Sequence, residues 1–349
     1  MAFTKTYDPA PVATAITGGS AGNREDLTDV LTILAPEETP VLSSANKQKA
    51  NSTFVEWTVD SLGAPAAAGI DEGADVATFT DKFAGRTRLG NYIQKFRRDY
   101  KVSDLQEAVD SVGPARIAQA EAKSIRELKR DVELALCKDF GANGAGDLQV
   151  QTANAPYLMR GLGSWISNTA QPTAPVPADF RTPASSIHDT GVFSEDILND
   201  LITSMFRVTG SSNSVMLVAD TGLRRIVSDF ARTAGSTTNS VRNVNYDGGS
   251  ADIKVSVDLY QSDHGIVSVV NANPDCMPAS TGTVTTGTGY LVNPDYYGIH
   301  ELIPMGSTRL PNQGGGERGY VDCALTLGVY HPQAHGKITA VSAAAAPAA

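Results

Sequence analysis

The chain is predicted to fold as an α+β protein, and three features carry that prediction. Residues 114–140 form one charged, amphipathic helical stretch longer than any other in the sequence. Tyr320–Tyr330 alternates strictly, with Val321, Cys323, Leu325, Leu327 and Val329 on one face, and reads as one long strand. Between them, residues 187–300 mix short apolar strands with short amphipathic helices, the pattern of a compact sheet with helices packed on it. Ahead of the helix, some hundred residues read as an extended arm and a long two-stranded loop that build no core of their own.

At 349 residues the chain is long enough for about two domains. Its formal charge of −10 rules out nucleic-acid binding through overall charge and argues against a membrane-surface role. No run of about 18 apolar residues occurs, so no spanning helix is expected. The start, Met1-Ala-Phe-Thr-Lys-Thr-Tyr-Asp8-Pro9, lacks the apolar core of a secretory signal. Cys137, Cys276 and Cys323 are odd in number and have neither metal-ligand nor redox spacing, and they read as reduced thiols of a protein made in the cytoplasm.

Residues 1–22, rich in Ala, Thr, Gly and Pro, read as an arm. Asn23 can cap a short helix, with Glu25 and Asp26 in its first turn and Leu27, Val30, Leu31 and Leu34 as one apolar stripe, ended by Pro36 and Pro40. Thr53–Val59 alternates as a strand, and a second strand is predicted from Gly90 to Val102, where Tyr92, Phe96 and Tyr100 interleave with Lys95, Arg97, Arg98 and Lys101. The intervening residues 61–89 make the tip of this hairpin far longer than the usual two to five residues. A two-stranded ribbon is barely stable alone, so this one is expected to rest on another surface.

Pro114 opens the long helix at a tolerated first-turn position, and the helix spans roughly 40 Å. Ile117, Ile125, Leu128, Val132, Ala135 and Leu136 form its narrow apolar stripe. Residues 145–190 read as irregular and proline-rich, with Arg160–Ile166 as an apolar island. Then come a helix capped by Ser194 and ended by Gly210, a buried strand Val215–Ala219, a helix capped by Asp220, a hairpin of Ile253–Tyr260 and Ile266–Val270, and strands at Tyr290–Val292 and Tyr297–Ile303.

Motifs of chemistry are weak. Gly18-Gly-Ser20-Ala-Gly22 matches a nucleophile elbow in letters, but only a polar arm precedes it, where the elbow needs a buried strand. His331 and His335 have a spacing that could join a metal on a helix, yet Pro332 lies between them and a structural turn is expected. The remaining histidines are His188, His264 and His300, and Asp263-His264 lies in a predicted hairpin turn with no serine or cysteine evidently paired with it. The basic, aromatic run Lys95–Lys101 could suit single-stranded nucleic acid, and the favoured reading is a ribbon lying on a neighbouring subunit's acidic surface.

Five segments, in order along nearly the whole chain, carry a resemblance. They are Asn23-Arg-Glu-Asp-Leu27 with Thr39-Pro40-Val-Leu42; Glu56-Trp-Thr-Val-Asp-Ser-Leu62; Glu127–Leu136; Arg160-Gly-Leu-Gly-Ser-Trp-Ile166; and Leu325-Thr-Leu with His331–Ile338. The sequence resembles tailed-phage major capsid proteins of the SU-ten type with the Hong Kong 97-like fold. The resemblance implies an N-terminal arm (1–53), an extended loop (54–102) over an adjacent subunit, and a peripheral domain (103–186) with a spine helix at 114–140. It further implies an axial domain (187–300), peripheral return strands (301–342) and a loose tail (343–349). It implies hexamers and pentamers of the chain closing into an icosahedral or prolate shell around double-stranded DNA, without sequence-specific binding.

A separate scaffold protein, a portal and a decoration protein are the further partners this implies, with assembly in the bacterial host cytoplasm and residence in the virion. No enzyme activity, cofactor, metal or membrane is expected, and no covalent crosslink, because nothing identifies a partner for Lys82. Intersubunit contacts are expected at Leu27, Leu31, Trp57, Lys82, Arg86, Arg88, Tyr92, Phe96, Arg97 and Arg98. The rival readings are another repetitive assembly, such as a tail tube or surface layer, and a serine hydrolase using Ser20.

Overall fold

A computed structural model describes residues 37–76, 78–83, 85–108, 116–139, 147–210, 214–230, 257–277 and 286–343. In chain order the elements are α1 (Pro40–Ser44), β1 (Asn46–Lys49), β2 (Phe54–Val59), β3 (Thr87–Tyr92), β4 (Gln94–Val102), α2 (Asp104–Ala108), α3 (Arg116–Leu136), α4 (Leu162–Trp165), β5 (Ile187–Phe193), α5 (Glu195–Thr209), β6 (Ser214–Ala219), α6 (Thr221–Phe230), β7 (Leu259–Ser262), β8 (Gly265–Asn271), β9 (Thr286–Val292), β10 (Tyr297–Leu310), β11 (Glu317–Val329) and β12 (Gly336–Ala343). The expected arm, with Leu27, Leu31 and the Ser20 motif, lies outside the described residues.

The strands make three sheets. A four-stranded sheet has the order β1-β10-β11-β4, a six-stranded sheet β5-β12-β9-β6-β8-β7, and β2 and β3 form a separate ribbon. The expected pairing of long helix with long strand is present: α3 buries Leu128, Val132 and Leu136 against the face of β11 and β4 that carries Val321, Cys323, Leu325, Phe96 and Tyr100. Apolar burial of this kind is worth about 25 cal/mol per Å², so the narrow stripe of α3 is its main attachment. Charge pairs sit at the edges of that contact. Arg98 of β4 grips Asp131 of α3 with two bonds of 2.6 and 2.8 Å, and Arg309 of β10 reaches Glu121 at 3.5 Å.

The six-stranded sheet carries its own core, in which α5 and α6 pack Leu198, Leu201, Ile202, Leu223, Ile226 and Val227 against Leu217, Val267, Leu291 and Ile338. The limits of α5 follow the capping chemistry. Ser194 Oγ accepts from Ile197 N–H at 3.4 Å, and Gly210 closes the helix in the left-handed region at φ 66°.

Three expectations are corrected. The strand predicted from Gly90 to Val102 breaks at Ile93: β3 pairs with β2, while β4 leaves the ribbon and pairs with β11. The buried positions show the cause. Leu89, Asn91 and Ile93 are buried on one phase and Phe96 and Tyr100 on the other, so the period-2 pattern slips by one residue at the bend. Next, the return strands 301–342 do not stay together. β12 crosses to the six-stranded sheet, parallel to β5 and antiparallel to β9, and the change of sheet before β10 falls at Asn293–Tyr296 rather than at residue 300. Finally, the hairpin after α6 turns on Asp263-His264 alone, with Ser262 and Gly265 paired inside the strands; Ile253–Ser256 lie outside the described residues.

Candidate assembly surfaces

The ribbon is anchored at its root and open at its tip. At the root, Val59 and Leu89 are buried. Trp57 packs on the chain's own aromatic residues: its ring centroid is 5.5 Å from Trp165, 6.0 Å from Tyr330 and 6.5 Å from His300, to which it is parallel. Asn91 fastens β3 from the other side, its amide donating to Leu327 O at 2.8 Å and to Arg160 O at 3.0 Å while its Oδ1 accepts from Arg160 N–H at 2.8 Å. Beyond Val59 and Thr87 the chain leaves the body. Leu62 is 100% and Phe79 90% exposed, and Ile70, Val76 and Phe83 stand exposed beside them. So many large apolar groups on one extended segment mark an interaction surface.

The predicted contact residues divide accordingly. Lys82, Arg86, Arg88 and Arg97 are exposed. Arg86 is bound locally, to Asp60 at 3.2 Å and over the Phe83 ring at 4.6 Å. Trp57, Tyr92, Phe96 and Arg98 make contacts within the chain. Phe96 is 8% exposed in the core, Tyr92 stacks on Tyr157 and meets Phe54 at a tilt, and Arg98 is held by Asp131. Alternation correctly gave Phe96 a separate face from Arg97; it could not say that the face belonged to the chain's own core.

Sequence reasoning missed two buried polar joints. The carboxylate of Glu133 on α3 accepts Val41 N–H and Leu42 N–H, each at 2.9 Å, which ties the root of the arm to the spine helix. Burial raises the pKa of Glu133, and the two backbone N–H bonds oppose that rise. Arg160 is buried with Asp147 at 2.5 Å and lies over the Trp165 ring at 4.8 Å. Its guanidinium also donates to the carbonyls of Thr173 and Ala174, so it staples the proline-rich segment to the core. No signal marked Glu133, which lies off the apolar stripe among the other charges of the helix. None was available for Asp147.

The other candidates for chemistry resolve into structure. His331 and His335 flank a short turn, Pro332–Ala334. His335 is fully buried, its Nδ1 accepts Asn293 N–H at 3.2 Å, and burial pulls its pKa down to about 4. Burial also lowers the pKa of His300 and His331. All three thiols are free and buried, and burial raises Cys276 to about 11 and Cys323 to about 12, far from a reactive thiolate. A groove of about 530 Å³ along α5 is lined by Ser185, His188 and Ser204, but the serines bond one another at 2.7 Å and His188 Nε2 meets no hydroxyl. Among the described residues there is no cluster of three or more metal-ligating side chains, and no helix long and apolar enough to cross a membrane.

The profile of the SU10 major capsid protein family matches residues 13–342. The chain belongs to the SU10 major capsid protein family. It is a structural subunit of a tailed-phage capsid, and its family is not one of enzymes. Solved structures with the same fold include the capsid of a native GTA particle (TM-score 0.58, 12% identity, covering 95% of this chain and 99% of that one). The cyanophage A-1(L) capsid has a TM-score of 0.56 and 17% identity, covering 91% and 97%. The holo-SrpI encapsulin complex from Synechococcus elongatus has a TM-score of 0.53 and 11% identity, covering 94% and 95%. At these identities the likeness shows the Hong Kong 97-like fold alone. No curated protein matches at the level of sequence.

Proposed function

We propose that this major capsid protein assembles through hexamers and pentamers of itself into an icosahedral or prolate head around double-stranded DNA. The division into arm, extended loop, peripheral domain and axial domain is part of this reading, with β12 assigned to the axial sheet. A separate scaffold protein, a portal and a decoration protein are its proposed partners, and assembly takes place in the host cytoplasm before the protein takes its place in the virion. The loop between Val59 and Thr87 lies over an adjacent subunit, and Lys82, Arg86, Arg88 and Arg97 contribute to contacts between copies.

The observation that carries the reading is the exposure of Leu62, Ile70, Val76, Phe79 and Phe83 on a segment whose root is rigidly held. Each such side chain is worth about 1.5–3 kcal/mol when buried, so one loop supplies a modest contact that a closed lattice repeats many times. Replacing residues 63–83 by a short turn is expected to leave a folded, soluble subunit that does not close shells in negative-stain electron microscopy. Normal shells from that variant would remove the loop from the assembly mechanism. Helical tubes from the unaltered protein would favour the tail-tube reading instead.

A further inference from the structure

Trp57 seats the ribbon on the body, and one of the rings under it belongs to a histidine. His300, on β10, is 8% exposed. Its imidazole lies parallel to the Trp57 indole at 6.5 Å and edge-on to Tyr330 at 6.0 Å, with Nε2 3.3 Å from the Tyr330 hydroxyl. Gly328 cuts the slot that holds it, because a Cβ there would stand 2.8 Å from His300 Nε2. Gly298, paired with Gly328 across β10 and β11, clears the Tyr330 hydroxyl in the same way. The slot does not suit a cation. His300 is flanked in register by Thr326 on β11 and Gln48 on β1, and the Tyr330 phenol is neutral, its pKa raised by burial. The charged groups around the joint are turned outward or already paired. Glu56 on β2 and Arg88 on β3 are exposed, Glu301 on β10 binds Lys47 of β1 at 2.9 Å, and Arg160, over the Trp165 ring, binds Asp147 at 2.5 Å.

An imidazolium gains from an indole only within about 6 Å of the ring centre, so at 6.5 Å the cost of keeping a cation out of water decides. Burial accordingly lowers the pKa of His300. The weakest cover over the ring is Trp57. β10 is paired with β1 on one side and β11 on the other, whereas β2 pairs through its backbone with β3 and meets the body by side chains. A two-stranded ribbon has little stability of its own. We propose that His300 is a proton-sensitive pin for the ribbon: the neutral imidazole seats Trp57 and holds β2 down, and the protonated ring reaches water by lifting Trp57, which frees the ribbon while the body stays folded. Because β2 and β3 carry the loop between Val59 and Thr87, the pin sets how freely that loop swings. Lowered in the seated state, the histidine contributes to seating fully above about pH 6.5, and the contribution is lost as pH falls through the seated pKa. The pin is a property of the single subunit, so its tests stand apart from those of the shell.

Two measurements on the full-length, unassembled subunit test it. The first is amide hydrogen exchange at pH 7.5 and 5.5, corrected for the pH dependence of the chemical exchange rate. Protection of Phe54–Val59 is expected to fall roughly three- to tenfold at the lower pH, while that of β11 holds. His300→Gln, which cannot titrate, is expected to remove the fall. Constant protection in the wild type, or an equal fall in a folded His300→Gln chain, overturns the proposal. The second measurement needs no change at His300. Deuterium exchange at its imidazole C2 position, followed by mass spectrometry against pH, gives the titration midpoint of the ring. That midpoint is expected below about 6.5 in the wild type and closer to 6.5 in Trp57→Ala, because seating opposes protonation as much as protonation opposes seating. A midpoint that Trp57→Ala leaves in place, in a chain whose β11 stays protected, overturns it as well.

Discussion

Arg160 holds its charge at 1% side-chain exposure, with Asp147 at 2%. A buried pair adds little over a well-packed apolar pair, but half of one is costly. Asp147→Ala is therefore expected to lower the unfolding free energy by about 3–5 kcal/mol in urea titration, and Arg160→Met with Asp147→Leu to lower it by less. The histidines supply a second residue-scale prediction. His335 has a folded pKa of about 4, below its unfolded value. Its neutral form thus contributes stability that is fully present above about pH 6.5 and is lost as pH falls toward the folded pKa, roughly 3 kcal/mol in all. His300 and His331 act in the same direction. Glu133, whose pKa is raised, opposes them, since its protonated form is favoured earlier in the folded state. Thermal unfolding between pH 7 and 4.5 is expected to show a falling melting temperature, with a shallower fall in His335→Gln. Neither site was legible in the sequence. Arg160 and Asp147 are joined across a loop with no periodicity, and no pattern of neighbours announces that a histidine will be entombed.

Elements were more legible than their partners. The stripe of α3 and the alternation of β11 each specify a buried face, and two long elements of matching length with one apolar face each pack together with little alternative. The ribbon was read correctly as a long-tipped hairpin, yet its root proved to be fixed on its own body by Trp57 and Asn91. The alternation at Thr53–Val59 gave Trp57 an apolar face without naming what covers it. Trp57→Ala is expected to cost about 3–5 kcal/mol or to free the ribbon locally, and hydrogen exchange at β2 and β3 distinguishes the two. The slip of phase between Ile93 and Phe96 was present in the sequence and is the general sign that one apparent strand serves two sheets. At the arm's root, Glu133→Gln keeps one acceptor for two N–H groups and points a donor at the other. It is expected to cost about 1–3 kcal/mol and to raise proteolysis around residues 40–45.

At the scale of the whole molecule, the described residues include two packed cores and one extended segment, 60–86, that exposes Leu62, Ile70, Val76, Phe79 and Phe83. The family and the fold were legible because five short segments occur in order along the chain, and weak local matches become specific when their order is fixed. The return of β12 to the six-stranded sheet was not legible, because Gly336–Ala343 pairs through backbone with β5 and β9, and those partners lie far away in sequence. The central claim is that the loop from Asp60 to Arg86 finds its shelter on a sister copy. Phe79 is 90% exposed in the single chain and the native thiols are buried, so Phe79→Cys supplies one accessible thiol. Shelter on a neighbour predicts that a maleimide labels this thiol readily in the isolated subunit and at least about tenfold more slowly in the assembled shell. Equal labelling rates in subunit and shell would contradict it.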